Sequence, residues 1–183
     1  ADAVLLDEVS FKEAIELAYY GASVIHPRTI QPLQRKEISM WVKSFVNPDA
    51  RGTLISQNAF TNTKIPSYIN QTGQWLITIA TRDFSFIVEE HLSQIFDFFA
   101  KHKVKIDIMQ NSAVNFTVAV HNKDWRLLEL IEDLKSVFLV EYIKDVELIT
   151  IRHYNEEIID QLKNNREVFM EQKTKETYRV LLG

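Results

Sequence analysis

The sequence has no cysteine, which excludes a disulfide scaffold, a thiolate metal site and a cysteine nucleophile. Glycine is almost as scarce, since only four occur in 183 residues and no two lie within twenty residues of each other. A loop that cradles phosphate needs clustered glycines, because its backbone N–H groups must approach the phosphate oxygens closely. The chain therefore contains no phosphate-binding loop of this kind.

Long apolar runs and an excess of positive charge are also absent. No apolar run approaches the ~20 residues that span a bilayer, and no secretory signal pattern opens the chain. The net charge is −4, from 21 Lys and Arg against 25 Asp and Glu, with both signs mixed along the sequence. No basic patch of the kind that binds nucleic acid stands out. We therefore expect a cytoplasmic protein without a membrane or nucleic-acid partner.

What the sequence does contain is typical of a globular protein: 46% hydrophobic and 25% charged residues. Residues 9–21 are predicted to form a helix, because Ser10 and Glu13 make a capping box and apolar residues follow at helical spacing. A second helix is expected from Pro27, where the missing N–H costs nothing. The β-rich run at 38–46 predicts a strand.

Residues 57–73 are expected to form a linker, because they are polar and contain Pro66 and an Asn-Gln-Thr-Gly sequence. Beyond them a strand, a helix, two strands and a second helix are predicted, at 75–81, 88–102, 104–108, 114–120 and from an Asn122 cap. In the first of the two paired strands, Val104, Ile106 and Ile108 alternate with polar residues and should share one face. This βαββα order is that of a ferredoxin-like unit without its last strand.

The same order begins a second time, with a strand at 146–152, a helix at 156–163 and strands near 167–172 and 177–182. The predicted fold class is therefore α+β, with ferredoxin-like βαββα(β) units in tandem and the second unit abbreviated.

Two stretches near the start of the chain resemble the end of the catalytic domain of aspartokinases. One is Gly-Ala-x-Val-x-His-Pro, which ends at Pro27, and the other is Asn-Pro-x-Ala-x-Gly-Thr-Leu at 47–54. The tandem units resemble the ACT regulatory domains that follow in those enzymes. The resemblance covers nearly the whole chain.

The resemblance implies a parent enzyme that uses ATP and Mg to phosphorylate the side chain of L-aspartate, the first step toward lysine, threonine and methionine. The phosphate loop of that family lies upstream, so the chain is expected to be a C-terminal fragment without catalytic residues or a cofactor of its own. It divides into the end of an α/β amino-acid-kinase domain (1–56), a linker (57–73), a first ACT unit (74–142) and an abbreviated second unit (143–183).

Asp107 is the carboxylate of greatest interest. In ACT domains of aspartokinases an aspartate at the matching place often binds the amino group of a feedback amino acid, so the resemblance implies this role for Asp107. The alternative is a surface carboxylate that pairs with Lys103 or Lys105, which strand alternation places on the same face.

Residues 82–88 precede a predicted helix, so their backbone N–H groups are candidates to hold the carboxylate of an effector. The resemblance places Asp83, Phe84 and Ser85 at the matching positions. Many relatives carry glycine where this chain has Glu90, and negative charge in the first helical turn opposes an incoming carboxylate.

Asn111 and Ser112 are candidates for hydrogen bonds to a ligand, with ordinary turn residues as the alternative. The five histidines show no i, i+3 or i, i+4 pairing, so no metal site is expected. His26, beside Pro27, is expected to fix a turn or a helix cap.

The resemblance implies a homodimer that binds an amino acid, lysine or threonine, between ACT units. Two alternatives remain open: a dimerisation module without a ligand, and an enzyme of another class, which lacks any recognisable catalytic group.

Overall fold

The computed structural model describes residues 3–22, 24–57, 59, 65–122 and 125–183. The chain forms two compact units, Ala1–Ile69 and Asn70–Gly183. Within the described residues, no helix is both long enough and apolar enough to cross a bilayer.

The first unit has the elements β1 (Glu8–Ser10), α1 (Phe11–Tyr19), α2 (Pro27–Arg35), β2 (Met40–Val42) and β3 (Thr53–Ser56). The central strand β3 pairs in parallel with β1 and antiparallel with β2. A small core joins the sheet to both helices, with Phe11 and Ile30 fully buried.

Both predicted helix starts in this unit are confirmed. The Ser10 hydroxyl accepts a hydrogen bond from the Glu13 backbone N–H at 3.1 Å, which satisfies one of the free donors of α1. Pro27 is the first residue of α2, and His26 caps it through its Nδ1. The strand predicted at 38–46 is shorter, because the side chains of Phe45 and Val46 are solvent-exposed and only Met40–Val42 pairs with β3.

Among the residues that the structure describes, the second unit consists of a six-stranded sheet and three helices. Its elements are β4 (Ser67–Ala80), α3 (Glu89–Lys101), β5 (Ile106–Asn111), β6 (Asn115–His121), α4 (Arg126–Val137), β7 (Leu139–Arg152), α5 (Glu156–Lys163), β8 (Val168–Lys173) and β9 (Thr177–Leu182). The strand order is β5-β6-β4-β7-β9-β8. The predicted α+β fold with tandem ferredoxin-like units is confirmed.

The two central strands, β4 and β7, each contain 14 residues. Trp75 stacks on Tyr142 with ring centroids 5.2 Å apart, and Asn70 donates a hydrogen bond to Glu147 farther along the pair. The first half of β7 thus completes the first ferredoxin-like repeat of this sheet, and its second half begins the second repeat. The fourth strand that the sequence pattern omits is therefore present.

Helices α3 and α4 cover one half of the outer face of this sheet, and α5 covers the other half. The inner face buries a third cluster, hereafter the inner core, that draws residues from both halves; it contains Leu76, Ile108, Ala119, Val146, Leu148, Met170 and Leu181. The edge strands meet across it, since the Gln172 amide donates to the Met109 carbonyl at 2.6 Å. The sheet therefore curls over its own inner face.

A β-bulge interrupts β5 between Ile106 and Ile108, which pair with the consecutive residues Val120 and Ala119. Because Asp107 is the extra residue, Ile106 packs against the helix-covered core and Ile108 against the inner core. The prediction that Ile106 and Ile108 share one face is wrong for this reason.

Strand β8 carries the same irregularity, between Val168 and Met170. Phe169 is the extra residue of this second bulge and packs against the inner core. The two halves of the sheet are therefore alike down to this detail.

Two further boundaries differ from the sequence prediction. Residues 67–73, expected within the linker, form the first half of β4, where polar side chains such as Asn70 have partners on the neighbouring strand. Residues 58 and 60–64 of that linker lie outside the described residues. Asn122 does not cap α4, because the helix begins four residues later, at Arg126, after Trp125.

Candidate functional site

Asp107 lies in the bulge of β5 with its side chain only 9% exposed. The Lys105 Nζ lies 3.3 Å from the Asp107 Oδ1, so the ion pair of the alternative interpretation is present. The backbone carbonyl of Asp107 accepts a hydrogen bond from the Arg179 Nη1 at 2.9 Å. Both the backbone and the side chain of Asp107 are thus held in place.

A cavity of about 280 Å³ opens beside this residue, hereafter the Asp107 cavity. The polar side chains that line it are Lys103, Lys105, His121, the Gln71 amide and Asp107. Asp107 is the one carboxylate among the described lining residues, and Leu127 supplies an apolar wall. The volume is close to the lower end of small-molecule sites, at about 300 Å³.

Lys103 has an unusual backbone at the edge of this cavity. Its φ is +54°, in the left-handed region. Its N–H donates to the Ala100 carbonyl and the Val104 N–H donates to the Phe99 carbonyl. This is the Schellman arrangement that ends a helix, and its left-handed position is usually glycine. A lysine therefore stands where glycine would cost less.

The loop before α3 uses most of its polar groups internally. The Asp83 carboxylate accepts from the Ser85 N–H at 3.1 Å, and hydrogen bonds from the Ser85 side chain and backbone lower the pKa of Asp83. The Ile87 N–H donates to the Ala113 carbonyl at 2.9 Å. The Val88 N–H donates to the Nδ1 of His91 at 3.3 Å.

The Phe84 N–H donates to the Thr81 carbonyl. Of the six backbone N–H groups at 83–88, four therefore already have acceptors within the chain. Glu89 and Glu90 follow directly in the first turn of α3. This loop presents few free donors and two negative charges to an incoming carboxylate.

Ser112 lies in the β5–β6 turn. Its N–H and hydroxyl group both contact the Asn115 carbonyl, and the Asn115 N–H donates back to the hydroxyl. The turn interpretation therefore describes Ser112. Asn111 pairs with Phe116 at the end of β5 and is exposed to solvent.

Within one chain, the structure places Asn111 and Ser112 at the same end of β5 as the 83–88 loop, and Asp107 farther back along the strand. The contact between Ile87 and Ala113 places the 83–88 loop at the turn end of β5. Asp107 lies four residues back from Asn111 along β5, a separation of about 13 Å at ~3.3 Å per residue. Within one chain, Asp107 and the 83–88 loop thus lie at different points along β5.

The sequence alone does not point to the basic side chains of the cavity as functional candidates. It indicates Lys103 and Lys105 only as partners that neutralise Asp107, and it predicts no metal site at His121. The signal available in the sequence is the placement of two lysines around a single aspartate, directly after a helix end.

Comparison with known proteins gives one match within the first unit and others that extend over both units. A family model described as the amino acid kinase family matches residues 1–44. Aspartokinase 1, chloroplastic, from Arabidopsis thaliana is 28% identical in an alignment that covers 78% of this chain and 26% of that protein. The chain thus spans about a quarter of the length of this relative.

Solved structures match over nearly the whole chain. Escherichia coli aspartokinase III, in complex with lysine and aspartate, superposes with a TM-score of 0.78 at 22% identity, over 96% of this chain and 42% of that one. Aspartate kinase from Clostridium acetobutylicum gives a TM-score of 0.81 at 18% identity, over 99% of this chain and 46% of that one. At these identities the structures establish the fold. Together with the sequence matches, they identify the chain as a relative of the C-terminal part of aspartokinases, from the end of the kinase domain through the regulatory region.

Proposed function

We propose that this chain is the regulatory and dimerising C-terminal part of an aspartokinase, which as a whole protein phosphorylates L-aspartate with ATP and Mg in the cytoplasm. The observation that carries the proposal is the joint match of both units, with aspartokinase structures aligned over 96–99% of the chain. The scarcity of glycine agrees with a catalytic phosphate loop located elsewhere in the parent protein.

Amino-acid feedback is the regulation that we assign to the second unit. Support comes from the E. coli enzyme, whose structure contains lysine and aspartate, and from Asp107, a nearly buried carboxylate beside a cavity. A carboxylate in such a place suits an ammonium group. Lysine and threonine are the first effectors to consider.

Dimerisation is supported by apolar side chains exposed at the turn end of β5. Phe84 and Phe86 are 77% and 69% exposed in the loop that contacts Ala113, and Val114 is also exposed. Clustered exposed apolar surface marks an interaction site. The proposed partner is a second copy of this chain, because ferredoxin-like units of this family are expected to pair with one another.

Sedimentation of the purified chain at micromolar concentrations tests the dimer. We expect a dimer that dissociates in Phe86→Asp, whereas Phe45→Asp, which places the same charge on an exposed residue of the first unit, should remain dimeric. A monomeric wild-type chain would contradict the dimer.

The chain alone should form no aspartyl phosphate from aspartate and ATP, and activity above the blank would contradict its assignment as a noncatalytic part.

A ligand-free dimerisation module is the second candidate. It is favoured by the internal hydrogen bonds of the 83–88 loop and by the charges of Glu89 and Glu90. A dimer whose melting temperature responds to no amino acid would support this candidate over feedback.

A further inference from the structure

We propose that Arg179, on β9 of the second repeat, is a positioning residue for the first repeat. It holds the backbone of β5 at the bulge, so that the local structure of one repeat depends on a side chain of the other. The expected effect on ligand binding rests on the proposed feedback function, whereas the effect on the bulge does not.

Strand β5 lies at one edge of the six-stranded sheet. The outward carbonyl groups of an edge strand have no strand beside them and take donors from elsewhere. The carbonyl of Asp107 accepts from the Arg179 Nη1 at 2.9 Å. The carbonyl of Met109 accepts from the Gln172 amide at 2.6 Å. The second repeat thus holds β5 on both sides of Ile108, which is buried in the inner core.

Arg179 is itself held at a second point. Its Nε donates to the hydroxyl group of Thr150 at 3.2 Å, and Thr150 is completely buried on β7. Because the guanidinium group is a rigid planar fork, two acceptors at once fix its orientation. A hydrogen bond from a charged donor is also stronger than one between neutral groups. Arg179 therefore ties the central strand β7 to the backbone at the bulge.

The internal repeat of the sheet shows that this arginine departs from the pattern. A row of three directly opposed residues crosses each half of the sheet, at the same distance from its bulge. In the second repeat the row is Thr150, Arg179 and Gln172, and in the first it is Thr78, Thr117 and Gln110. The outer positions are identical, and only the middle one differs. A threonine side chain is too short to make the contact of Arg179, so Thr117 cannot hold the other bulge in this way.

The contact of Arg179 opposes a movement that a bulge otherwise allows. A bulge contains one extra residue, and a slip of the pairing by one residue moves side chains to the other face of the sheet. Regular alternation in β5 would put Ile106 and Ile108 on one face and would move the Asp107 side chain from its place at the cavity. A site that is ordered before its ligand arrives binds more tightly. Arg179 is therefore expected to strengthen effector binding through the backbone alone.

Amide hydrogen exchange of the full unliganded chain tests the hold on the bulge, with β4 as an internal reference. We expect Arg179→Thr, which gives the second repeat the same row as the first, to speed exchange at 106–111 by about tenfold relative to exchange at 74–80. Thr150→Val keeps the size of a side chain that is not on a strand next to β5. It should change the exchange ratio in the same direction, and it carries the test if Arg179→Thr does not fold.

Arg166→Thr is the matched control. Arg166 is another partly exposed arginine of the second repeat, and it pairs with Glu147 on β7. Its loss should lower the melting temperature and leave the exchange ratio between β5 and β4 unchanged.

Isothermal titration of the full chain with lysine, and separately with threonine, tests the effect on binding. The dissociation constant of the amino acid that binds the wild type should rise by about tenfold in Arg179→Thr. It should be unchanged in Arg166→Thr, although both variants lose an arginine from the second repeat.

Three results would overturn the inference. One is a wild-type exchange ratio in both Arg179→Thr and Thr150→Val, and another is an equal change of that ratio in Arg166→Thr, which indicates general destabilisation. The third is faster exchange of β5 with an unchanged dissociation constant, which makes Arg179 a structural residue only. If neither lysine nor threonine binds the wild type, the feedback function fails and takes the effect on binding with it, and the exchange ratio alone decides whether Arg179 holds the bulge.

Discussion

Gln74 is completely buried on β4, and neither atom of its side-chain amide has a hydrogen-bond partner among the residues that the structure describes. A buried amide without partners costs about 1–3 kcal/mol. Methionine has a similar length and no such requirement. Gln74→Met should therefore raise the free energy of unfolding by about 1 kcal/mol, measured by urea denaturation.

Gln110→Met is the matched control for this prediction, because Gln110 is exposed to solvent on β5. It should leave the stability nearly unchanged. A loss of stability in Gln74→Met would mean that the amide is satisfied by water or by a group outside the described residues.

Asp133 joins α4 to the end of α3. Its carboxylate accepts from the Lys101 Nζ at 2.6 Å and lies 2.8 Å from the His102 Nε2. The hydrogen bond from Lys101, followed by that from His102, lowers the pKa of Asp133. A lowered carboxyl pKa stabilises the folded state above the ordinary aspartate pKa of about 3.9.

This stabilisation should be lost as the pH falls through the lowered pKa of Asp133, because the folded carboxylate then takes up a proton. Asp133→Asn should melt at a lower temperature than the wild type at neutral pH, and the two melting curves should converge in acid. A difference in melting temperature that is constant from pH 7 to the acid limit would show that the charge of Asp133 is not responsible.

At the level of elements, local chemistry predicted the starts of α1 and α2 correctly, misplaced the start of α4 and missed the bulges. Ser10 and Pro27 announce helix starts through hydrogen-bonding rules that operate within a few residues. The alternation at 104–108 looks regular in the sequence, and only pairing with β6 shows that Asp107 is an extra residue. A bulge depends on the partner strand, so one strand's sequence cannot reveal it.

The same limit explains the strand at 67–73 and the candidate site. Polar residues with Gly73 resemble a linker when read alone, yet in the sheet they have partners across strands. Asp107 became a candidate through the family resemblance, whereas its position beside a cavity lined by Lys103 and Lys105 follows only from the placement of the end of α3 and the bulge.

Because the bulge places Ile108 in the inner core, we expect an energetic coupling between residues of β5 and β8. Ile108 and Met170 are both buried in the inner core, so Ile108→Ala should cost about 2–5 kcal/mol. Combined with Met170→Ala, its effect should be non-additive by about 0.5 kcal/mol or more, because the two side chains share one cluster. Denaturant unfolding of the single and double variants gives the coupling energy.

Leu130→Ala provides the comparison, since Leu130 is buried in the core under α4. Ile108→Ala and Leu130→Ala should be additive. If Ile108 instead couples to Leu130 and not to Met170, the strand has regular alternation and the bulge is wrong.

At the scale of the whole molecule, the two units differ in how much core they possess. Within the described part of the chain, the first unit has one small cluster of buried residues, whereas the second has three, on both faces of its sheet. Small domains bury a lower fraction of their surface and are less stable. We therefore expect calorimetry to show two transitions, with the first unit melting at the lower temperature.

A chain of residues 65–183, which begins just before β4, should fold by itself and reproduce the upper transition. A single transition for the full chain that disappears in this shortened version would contradict independent folding of the second unit.

The equivalent bulges in β5 and β8 have a consequence for the number of effector molecules that a dimer would bind. Where the first half of the sheet places Asp107, the second half places the ring of Phe169, and a Cβ at Gly183 would lie 2.8 Å from that ring. The second half of the sheet thus holds the Phe169 ring at the position that Asp107 occupies in the first half. On the proposed feedback function, we expect an effector to bind only the first half of the repeat, so that a dimer would saturate with two molecules of effector rather than four.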